Sequence, residues 1–350
     1  MLSGTKERVF YPVRVSPIVI DLSFSRTLTA TLVLTALLMP ASAGATWRDQ
    51  PPVPEIEGEL KTRFERDVAR SDRLGMRATV FAKVGDSNSE VASALYGLGC
   101  RTPRLAGRFW LKPALRRFNQ TELPAGPPGR AMPGCEPITS FSRRSNAARS
   151  ASFSTWSLQK IEELAKVPLW SPPPGCGGSE TPLSCEIRDI RPRFTLIMTG
   201  SNDRNIDNSY GLPLGSQTTE RMIALVREVR RLGSVPVLST LPPRRTPDAA
   251  PDEIAPTNAA ISRAAKLTRT PLINLWAALA RPSVVNQGLD PEGLHLSVSP
   301  GTSTPMLMPE PTTFADSVDF RPAALRYGAN VRNLIWLKSL ARLDRVASRP

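Results

Sequence analysis

The sequence predicts an α/β fold, namely a three-layer α/β/α sandwich around a mostly parallel sheet, with proline-rich loop insertions. Short apolar runs typical of buried strands alternate with stretches whose apolar residues recur at helical spacing. Strands separated by helices favour a parallel sheet that is covered on both faces. The composition agrees, because 41% hydrophobic and 22% charged residues are typical of a globular protein with a substantial core.

The first part of the chain contains one clear helix and one clear strand. Residues 57–74 have apolar residues at helical spacing among many charges, which predicts a surface helix. Residues 77–84 predict a buried strand, and residues 89–96 can begin a helix. Residues 100–150 read as an irregular insert rich in proline, arginine and glycine, and a short helix is expected at 157–165.

Regular alternation of strands and helices begins after residue 190. Strands are predicted at 194–198, 235–238 and 272–276. Helices are predicted at 218–232, 258–267 and 322–346. In a parallel sheet of this kind the functional loops lie at the carboxyl ends of the strands.

The N-terminal segment is typical of an export signal. Four basic residues are followed by an apolar run at 28–39, and Ala41-Ser42-Ala43 provides a cleavage pattern. The run is shorter than the about 20 apolar residues of a spanning helix, although an uncleaved N-terminal anchor is the alternative. We therefore predict an export segment at 1–45, a single domain at 46–350, and a periplasmic or extracellular location, with or without membrane anchoring.

The four cysteines fit an oxidising compartment. An even count in an exported chain favours disulfides, of which Cys176 with Cys185 is the first pair expected, because only a short loop separates them. Cys100 with Cys135 would then be the second pair, although four cysteines allow three connectivities. Neither pair has Cys-x-x-Cys spacing and the single histidine is distant in sequence, so no metal or other cofactor is predicted.

The chain is strongly basic, with a net charge of +14. Since residues 1–45 hold four basic and two acidic residues, the remaining residues carry +12. This charge favours contact with an anionic polymer or an anionic membrane surface. Nucleic acid is not favoured, because no basic motif is interleaved with aromatic residues.

Three polar motifs stand in the predicted loops after strands. They are Gly85-Asp86-Ser87, Gly200-Ser201-Asn202-Asp203 and, near the C-terminus, Asp290-Pro291-Glu292-Gly293-Leu294-His295. In this order they resemble the motifs of the SGNH, or GDSL-like, hydrolase superfamily. The resemblance extends from about residue 80 to residue 298. The surrounding segments, such as 325–334, resemble exported bacterial proteins of this kind. The resemblance implies a flavodoxin-like SGNH hydrolase fold and a serine esterase.

The chemistry of these residue types supports that interpretation. A serine hydroxyl needs an adjacent base to become a nucleophile, and His295, the one histidine of the chain, can accept its proton. Ser87 could alternatively be a helix N-cap, Asn202 a turn residue and His295 a structural histidine. In the resembled family an aspartate stands three residues before the histidine. That position is Glu292 here, which is favoured narrowly over Asp290.

The developing oxyanion requires preorganised donors. The resemblance implies the Ser87 backbone N–H, the Asn202 side-chain amide and a further backbone N–H, which a glycine provides in the family. The corresponding stretch, 145–152, contains no glycine, and we assign this position to Ala151.

Three functions remain open from the sequence. The leading hypothesis is an exported esterase that acts on a glycan O-acetyl group, a lipid ester or a small ester, and the same constellation could transfer an acyl group to a glycan hydroxyl. The second is a catalytically weak protein of the same fold that binds an acidic glycan or an anionic surface. The third, nucleic-acid binding, has only the charge in its favour.

Overall fold

A four-stranded parallel sheet forms the centre of the protein, in the order β1-β2-β3-β4. The strands are β1 (Arg77–Gly85), β2 (Pro192–Met198), β3 (Val235–Ser239) and β4 (Leu272–Ile273). All residues of β2 and β3 are buried, which requires that both faces of the sheet are covered. The predicted α/β class with a parallel sheet is confirmed.

The computed structural model describes residues 46–127, 135–166, 172–173, 175–247, 249, 252–299 and 317–349. These residues fall within one compact unit, residues 45–350. The predicted export segment at 1–45 lies outside the described residues, so both its function and the domain boundary at 45 remain predictions. Within the described ranges, no helix has the length and apolar character needed to span a bilayer.

Eleven α-helices occur in the described part of the chain. They are α1 (Gly58–Arg73), α2 (Ser87–Glu90), α3 (Tyr96–Cys100), α4 (Lys112–Asn119), α5 (Ile161–Leu164), α6 (Pro182–Ile190), α7 (Asp203–Ser209), α8 (Thr218–Arg231), α9 (Ala255–Thr268), α10 (Leu275–Leu279) and α11 (Gly328–Ala347). Short 3₁₀ helices cover Trp47–Asp49, Phe109–Leu111, Trp156–Leu158, Val285–Gly288 and Ala324–Arg326.

The helices form two layers around the sheet. Helices α8 and α9 pack on each other and on β3, and each connects two adjacent parallel strands. Because such crossovers are right-handed, both lie on one face. Helices α1 and α11 contact each other and cover the other face of the sheet. Helix α1 contacts β2 and β3, and α11 contacts β4.

Several predicted elements differ from the structure. The strand expected at 272–276 has only two residues, because Asn274 caps α10 by accepting a hydrogen bond from the backbone of Ala277. The helix expected at 89–96 is replaced by two short helices, α2 and α3. Residues 100–150 are less irregular than expected, since α4 inserts Leu115 and Phe118 into the core.

Two disulfides join Cys100 to Cys135 and Cys176 to Cys185, which is the connectivity that the loop lengths favoured. Their Cα–Cα distances are 4.3 and 5.6 Å. Asp189 lies near the second pair in an arrangement that could suggest a metal site, but the disulfide leaves no thiolate to bind one.

Candidate active site

Two of the sequence motifs meet where β1 and β2 end. Gly85 and Met198 are register partners, so the loops that follow them leave the same edge of the sheet. The Ser201 hydroxyl donates to Asp86 at 2.6 Å, and the other carboxylate oxygen of Asp86 accepts from the backbone N–H of Asn88 at 3.1 Å. Burial raises the pKa of Asp86, although the hydrogen bonds from Ser201 and Asn88 oppose this effect.

Gly85 permits this close approach. A Cβ at this position would lie 2.1 Å from the carbonyl oxygen of Met198 and 2.2 Å from the Ser89 hydroxyl. No side chain fits there, which explains the glycine of the first motif in packing terms.

Ser87 is brought to His295. The Ser87 Oγ lies 3.1 Å from His295 Nε2, and both side chains are partly buried. Asp86, and not Ser87, is the N-cap of α2, so the Ser87 hydroxyl is not used for helix capping. The geometry therefore argues against the alternative in which Ser87 is a helix cap.

A short loop presents His295. An antiparallel bridge between Leu289 and Leu296 closes this loop, and the backbone N–H of Asp290 donates to the His295 carbonyl at 2.8 Å. Gly293, at φ +71°, lies against the backbone of Arg245. We call residues 289–297 the histidine loop.

Asp290 faces the second nitrogen of the imidazole. Its Oδ2 lies 3.5 Å from His295 Nδ1, while its Oδ1 accepts from the backbone N–H groups of Leu294 at 3.0 Å and His295 at 3.2 Å. Burial would raise the pKa of Asp290, but hydrogen bonds from the His295 side chain and from these two N–H groups hold it below its usual value. The carboxylate is therefore ionised at neutral pH and can orient the ring.

The structure does not follow the register that favoured Glu292. The backbone N–H of Gly293 donates to the Asp290 carbonyl at 3.0 Å, which makes residues 290–293 a tight turn. This turn exposes Glu292 and folds Asp290 back toward the ring. Of the two acids that the sequence offered, Asp290 is the one that lies beside the imidazole, and it is therefore the acid that we carry forward as the candidate for orienting the ring.

The three oxyanion candidates come from segments that converge on Gly85. The Ser87 backbone N–H lies in the first turn of α2, where helical N–H groups have no intrahelical acceptor. The Asn202 amide donates to the Ser152 carbonyl at 2.9 Å, which leaves its second hydrogen for another acceptor. Ala151 has φ +62°, a backbone conformation typical of glycine, and the neighbouring Ser152 hydroxyl donates to the Gly85 carbonyl at 3.3 Å.

Two acidic side chains, Glu90 and Asp203, hold the 144–154 segment from two sides. Glu90 of α2 accepts from the Ser150 backbone at 2.6 Å and from Arg144 at 3.2 Å. Asp203 of α7 accepts from the Ser154 backbone at 2.8 Å and from Arg221 at 3.1 Å. The sequence analysis missed these supports, of which only Asp203 stood inside a motif.

Helix α11 contacts the segment behind Ser87. The buried guanidinium of Arg332 donates to the Asn88 carbonyl at 2.6 Å and to the Ser93 hydroxyl at 3.3 Å. Burial lowers the pKa of Arg332 to about 9. The next residue, Asn333, accepts from the Leu95 backbone at 3.1 Å and donates to the Ser93 carbonyl at 2.9 Å.

The first turn of α11 also holds the histidine loop. The Ser297 carbonyl accepts from the backbone N–H of Ala329 at 2.9 Å, and its hydroxyl accepts from that of Gly328 at 3.0 Å. A Cβ on Gly328 would lie 2.0 Å from the carbonyl oxygen of Gly288, the residue just before the loop, so only glycine fits at this position of the helix. One turn of α11 thus supports the loop, and the next turn supports the Ser87 segment.

Comparison with known proteins gives structural similarity only. No protein-family model matches the chain, and no curated protein sequence does. An acetyl esterase mutant with acetate ion is 13% identical, with a TM-score of 0.38 over 62% of this chain and 87% of that protein. The psychrotrophic esterase EstA from Pseudoalteromonas sp., inhibited by monoethylphosphonate, is 14% identical, with a TM-score of 0.34 over 62% and 87% of the two chains.

A GDSL-like lipase from Bacteroides thetaiotaomicron is also 14% identical, with a TM-score of 0.35 over 67% of this chain and 89% of the lipase.

Proposed function

We propose that this protein is an exported serine esterase in which Ser87 is the nucleophile and His295 the general base. The observation that carries the proposal is the 3.1 Å contact between Ser87 Oγ and His295 Nε2, with a carboxylate of Asp290 at the opposite ring nitrogen. A nucleophile, a base and an orienting acid in this sequence of contacts are the components of a serine hydrolase.

The proposed reaction begins with proton transfer. His295 Nε2 takes the proton of the Ser87 hydroxyl as Oγ attacks the ester carbonyl carbon, and a tetrahedral oxyanion forms. The imidazolium then returns the proton to the leaving alcohol oxygen as the ester C–O bond breaks, which leaves an acyl-serine. In the second half His295 takes a proton from water, the resulting hydroxide attacks the acyl carbon, and the free acid leaves as Ser87 regains its proton.

The polar groups around the pair have distinct proposed roles. The Asp290 carboxylate stabilises the imidazolium and holds the ring orientation. The Ser87 N–H, the second amide hydrogen of Asn202 and the Ala151 N–H would donate to the oxyanion. The left-handed conformation of Ala151 supports its inclusion, since alanine there reproduces the backbone of the glycine that the family resemblance implies.

The test is hydrolysis of p-nitrophenyl esters of increasing acyl length. We expect Ser87→Ala and His295→Ala to lower kcat by roughly 10³-fold or more while the thermal unfolding temperature is retained. Ser209→Ala changes an exposed serine of α7 and serves as the matched control. Mass spectrometry after treatment with a phosphonate ester should locate the adduct on the Ser87 peptide.

Two other outcomes have a clear meaning. If wild-type protein hydrolyses no ester and Ser87 is not labelled, the esterase proposal is wrong. If p-nitrophenol is released only when a sugar alcohol is added, and the acyl group is found on that alcohol, the protein is an acyltransferase that uses the same residues. Activity against O-acetylated glycans, lipid esters and small esters would then identify the substrate class.

A further inference from the structure

A basic segment with two exposed aromatic side chains lies outside the candidate active site. Between Cys100 and Thr121 the sequence has six basic residues and no acidic residue. In the middle of this segment Phe109 is 62% exposed and Trp110 is 50% exposed, although the next residue, Leu111, is fully buried. Large aromatic side chains are rarely left in water without a partner, which makes the pair informative.

The aromatic pair is not needed for the core. Helix α4 already turns its apolar face inward through Ala114, Leu115 and Phe118. Phe109 and Trp110 precede that helix on a 3₁₀ turn and point away from the same core. Several large hydrophobic side chains are exposed in the described part of the chain, and among them only Phe109 and Trp110 are adjacent in sequence.

Exposed basic side chains precede and follow these two rings in the segment. The Lys112 ammonium lies 4.9 Å from the centroid of the Phe109 ring, and the Arg104 side chain is 66% exposed. Arg101 and Arg116 are exposed as well. We define the basic aromatic surface by the exposed side chains Arg101, Arg104, Phe109, Trp110, Lys112 and Arg116.

Other basic residues of the segment have structural partners. Arg108 donates to the Phe320 carbonyl at 3.0 Å, and Arg117 pairs with Asp344 at 2.6 Å. One acid, Asp319, lies 3.8 Å from Arg104 but also pairs with Arg321 at 2.6 Å. The surface therefore keeps a positive excess.

The segment is held firmly by its surroundings. The disulfide from Cys100 to Cys135 anchors its start. The Arg104 backbone N–H donates to the Val318 carbonyl at 3.0 Å, and its carbonyl accepts from the Phe320 N–H at 2.9 Å. The backbone that precedes the two rings is therefore fixed to the rest of the protein by a disulfide and by backbone hydrogen bonds.

We propose that the basic aromatic surface docks this protein on an anionic phospholipid bilayer. Phe109 and Trp110 enter the interfacial region, where aromatic side chains concentrate, while the four basic side chains contact lipid phosphates. A soluble acidic glycan offers the same negative charge but no apolar phase in which both rings could be buried, and we therefore commit to the bilayer. This inference does not depend on the esterase proposal, because it uses no residue of the candidate active site.

Co-sedimentation of the full-length chain with vesicles tests the proposal. We expect binding to phosphatidylglycerol-containing vesicles, much weaker binding to phosphatidylcholine vesicles, and loss of binding at high salt. Phe109→Ser/Trp110→Ser and the quadruple change of Arg101, Arg104, Lys112 and Arg116 to Gln should each weaken binding at least about tenfold. Tyr210→Ser/Leu267→Ser, which changes exposed apolar residues elsewhere, should leave binding unchanged.

Tryptophan quenching by brominated lipids gives a second, local measurement. Quenching should be clear in the wild type and reduced in Trp110→Phe, because Trp110 would contact the acyl boundary directly. Equal quenching in both proteins would refute the proposal, even if another part of the chain binds the vesicles. Binding to dextran sulfate that survives loss of both rings, without vesicle binding, would also overturn it and identify a polyanion site.

Discussion

The two halves of the candidate active site are held in different ways. The Ser87 segment follows a buried strand, and the buried side chains of Asp86 and Arg332 both bond to the backbone of Asn88, the next residue. The histidine loop is partly exposed and is closed by a local turn and a single bridge between Leu289 and Leu296. Buried side chains from distant segments therefore support the proposed nucleophile, whereas the ring of the proposed base is oriented by an acid of its own turn, and hydrogen bonds to the backbone of α11 and of Arg245 attach that loop. Changes near Ser87 should affect folding and activity together, and changes in the histidine loop should affect activity alone.

Gly85→Ala should have the largest effect on the Ser87 side. The new Cβ would collide with the Met198 carbonyl and the Ser89 hydroxyl, so we expect a loss of about 3 kcal/mol or more in the free energy of unfolding, together with loss of activity. Urea unfolding measures the change. Gly177→Ala is the matched control, because its nearest atom would be 3.5 Å away. A Gly85→Ala protein of normal stability would show that the contact between Gly85 and Met198 has room for a methyl group, contrary to the structure.

Asp290→Asn should separate activity from stability on the His295 side. The amide cannot stabilise the imidazolium, so kcat should fall by roughly 10³-fold while the thermal unfolding temperature changes little. Glu292→Gln should remain within about twofold of wild type, since Glu292 is exposed and the carboxylate beside the ring is that of Asp290. Steady-state kinetics on p-nitrophenyl acetate distinguish the two carboxylates. The reverse pattern would restore Glu292 as the orienting acid.

Arg332→Lys should have an intermediate effect, because it should lower both the stability of the fold and the activity. Lysine keeps the charge but cannot contact the Asn88 carbonyl and the Ser93 hydroxyl together, so we expect a loss of about 1–2 kcal/mol in stability. The same change should reduce kcat by roughly tenfold with little change in KM, because Ser87 would be held less precisely. Arg345→Lys, at an exposed position of the same helix, is the control. Unchanged kcat in Arg332→Lys would limit this arginine to a packing role.

The smallest effect concerns the pH dependence of stability. The pKa of Asp290 is lowered on folding, so its stabilisation is present above the usual carboxyl range and is lost as the pH falls through the lowered value. The pKa of Asp86 is raised, so its ionisation costs stability above the raised value and this cost disappears on acidification. Unfolding free energies measured between neutral and acidic pH should thus fall less steeply in Asp290→Asn and more steeply in Asp86→Asn than in wild type. Parallel curves for all three proteins would contradict these assignments.

The sequence predicted well what local periodicity determines. Helices α1, α8 and α9 and strands β1 to β3 appeared close to their expected bounds, because each carries a regular pattern of apolar residues over many positions. Helix α6 was missed although Thr181 and Pro182 form a recognisable helix start. Helix α4 was hidden by the arginines and prolines around its three buried side chains.

The candidate site was predicted in its composition but not in its fine geometry. Ser87, Asn202 and His295 were visible because each stands in a short motif after a strand. The choice between Asp290 and Glu292 depended on which residue the turn directs inward, and residue spacing does not contain that information. Arg332 could not be found from the sequence, because it acts on a carbonyl more than two hundred positions away.

The two successive turns at the start of α11 have a mechanical consequence. Ser297 of the histidine loop accepts hydrogen bonds from the backbone of Gly328 and Ala329. Arg332, one turn further along the same helix, donates to the carbonyl of Asn88, the residue after Ser87. Because Ser87 also follows directly from β1, its distance from His295 depends on how the start of α11 is seated against the sheet. A displacement of this one helix end would therefore disturb the supports of the proposed nucleophile and the proposed base at the same time.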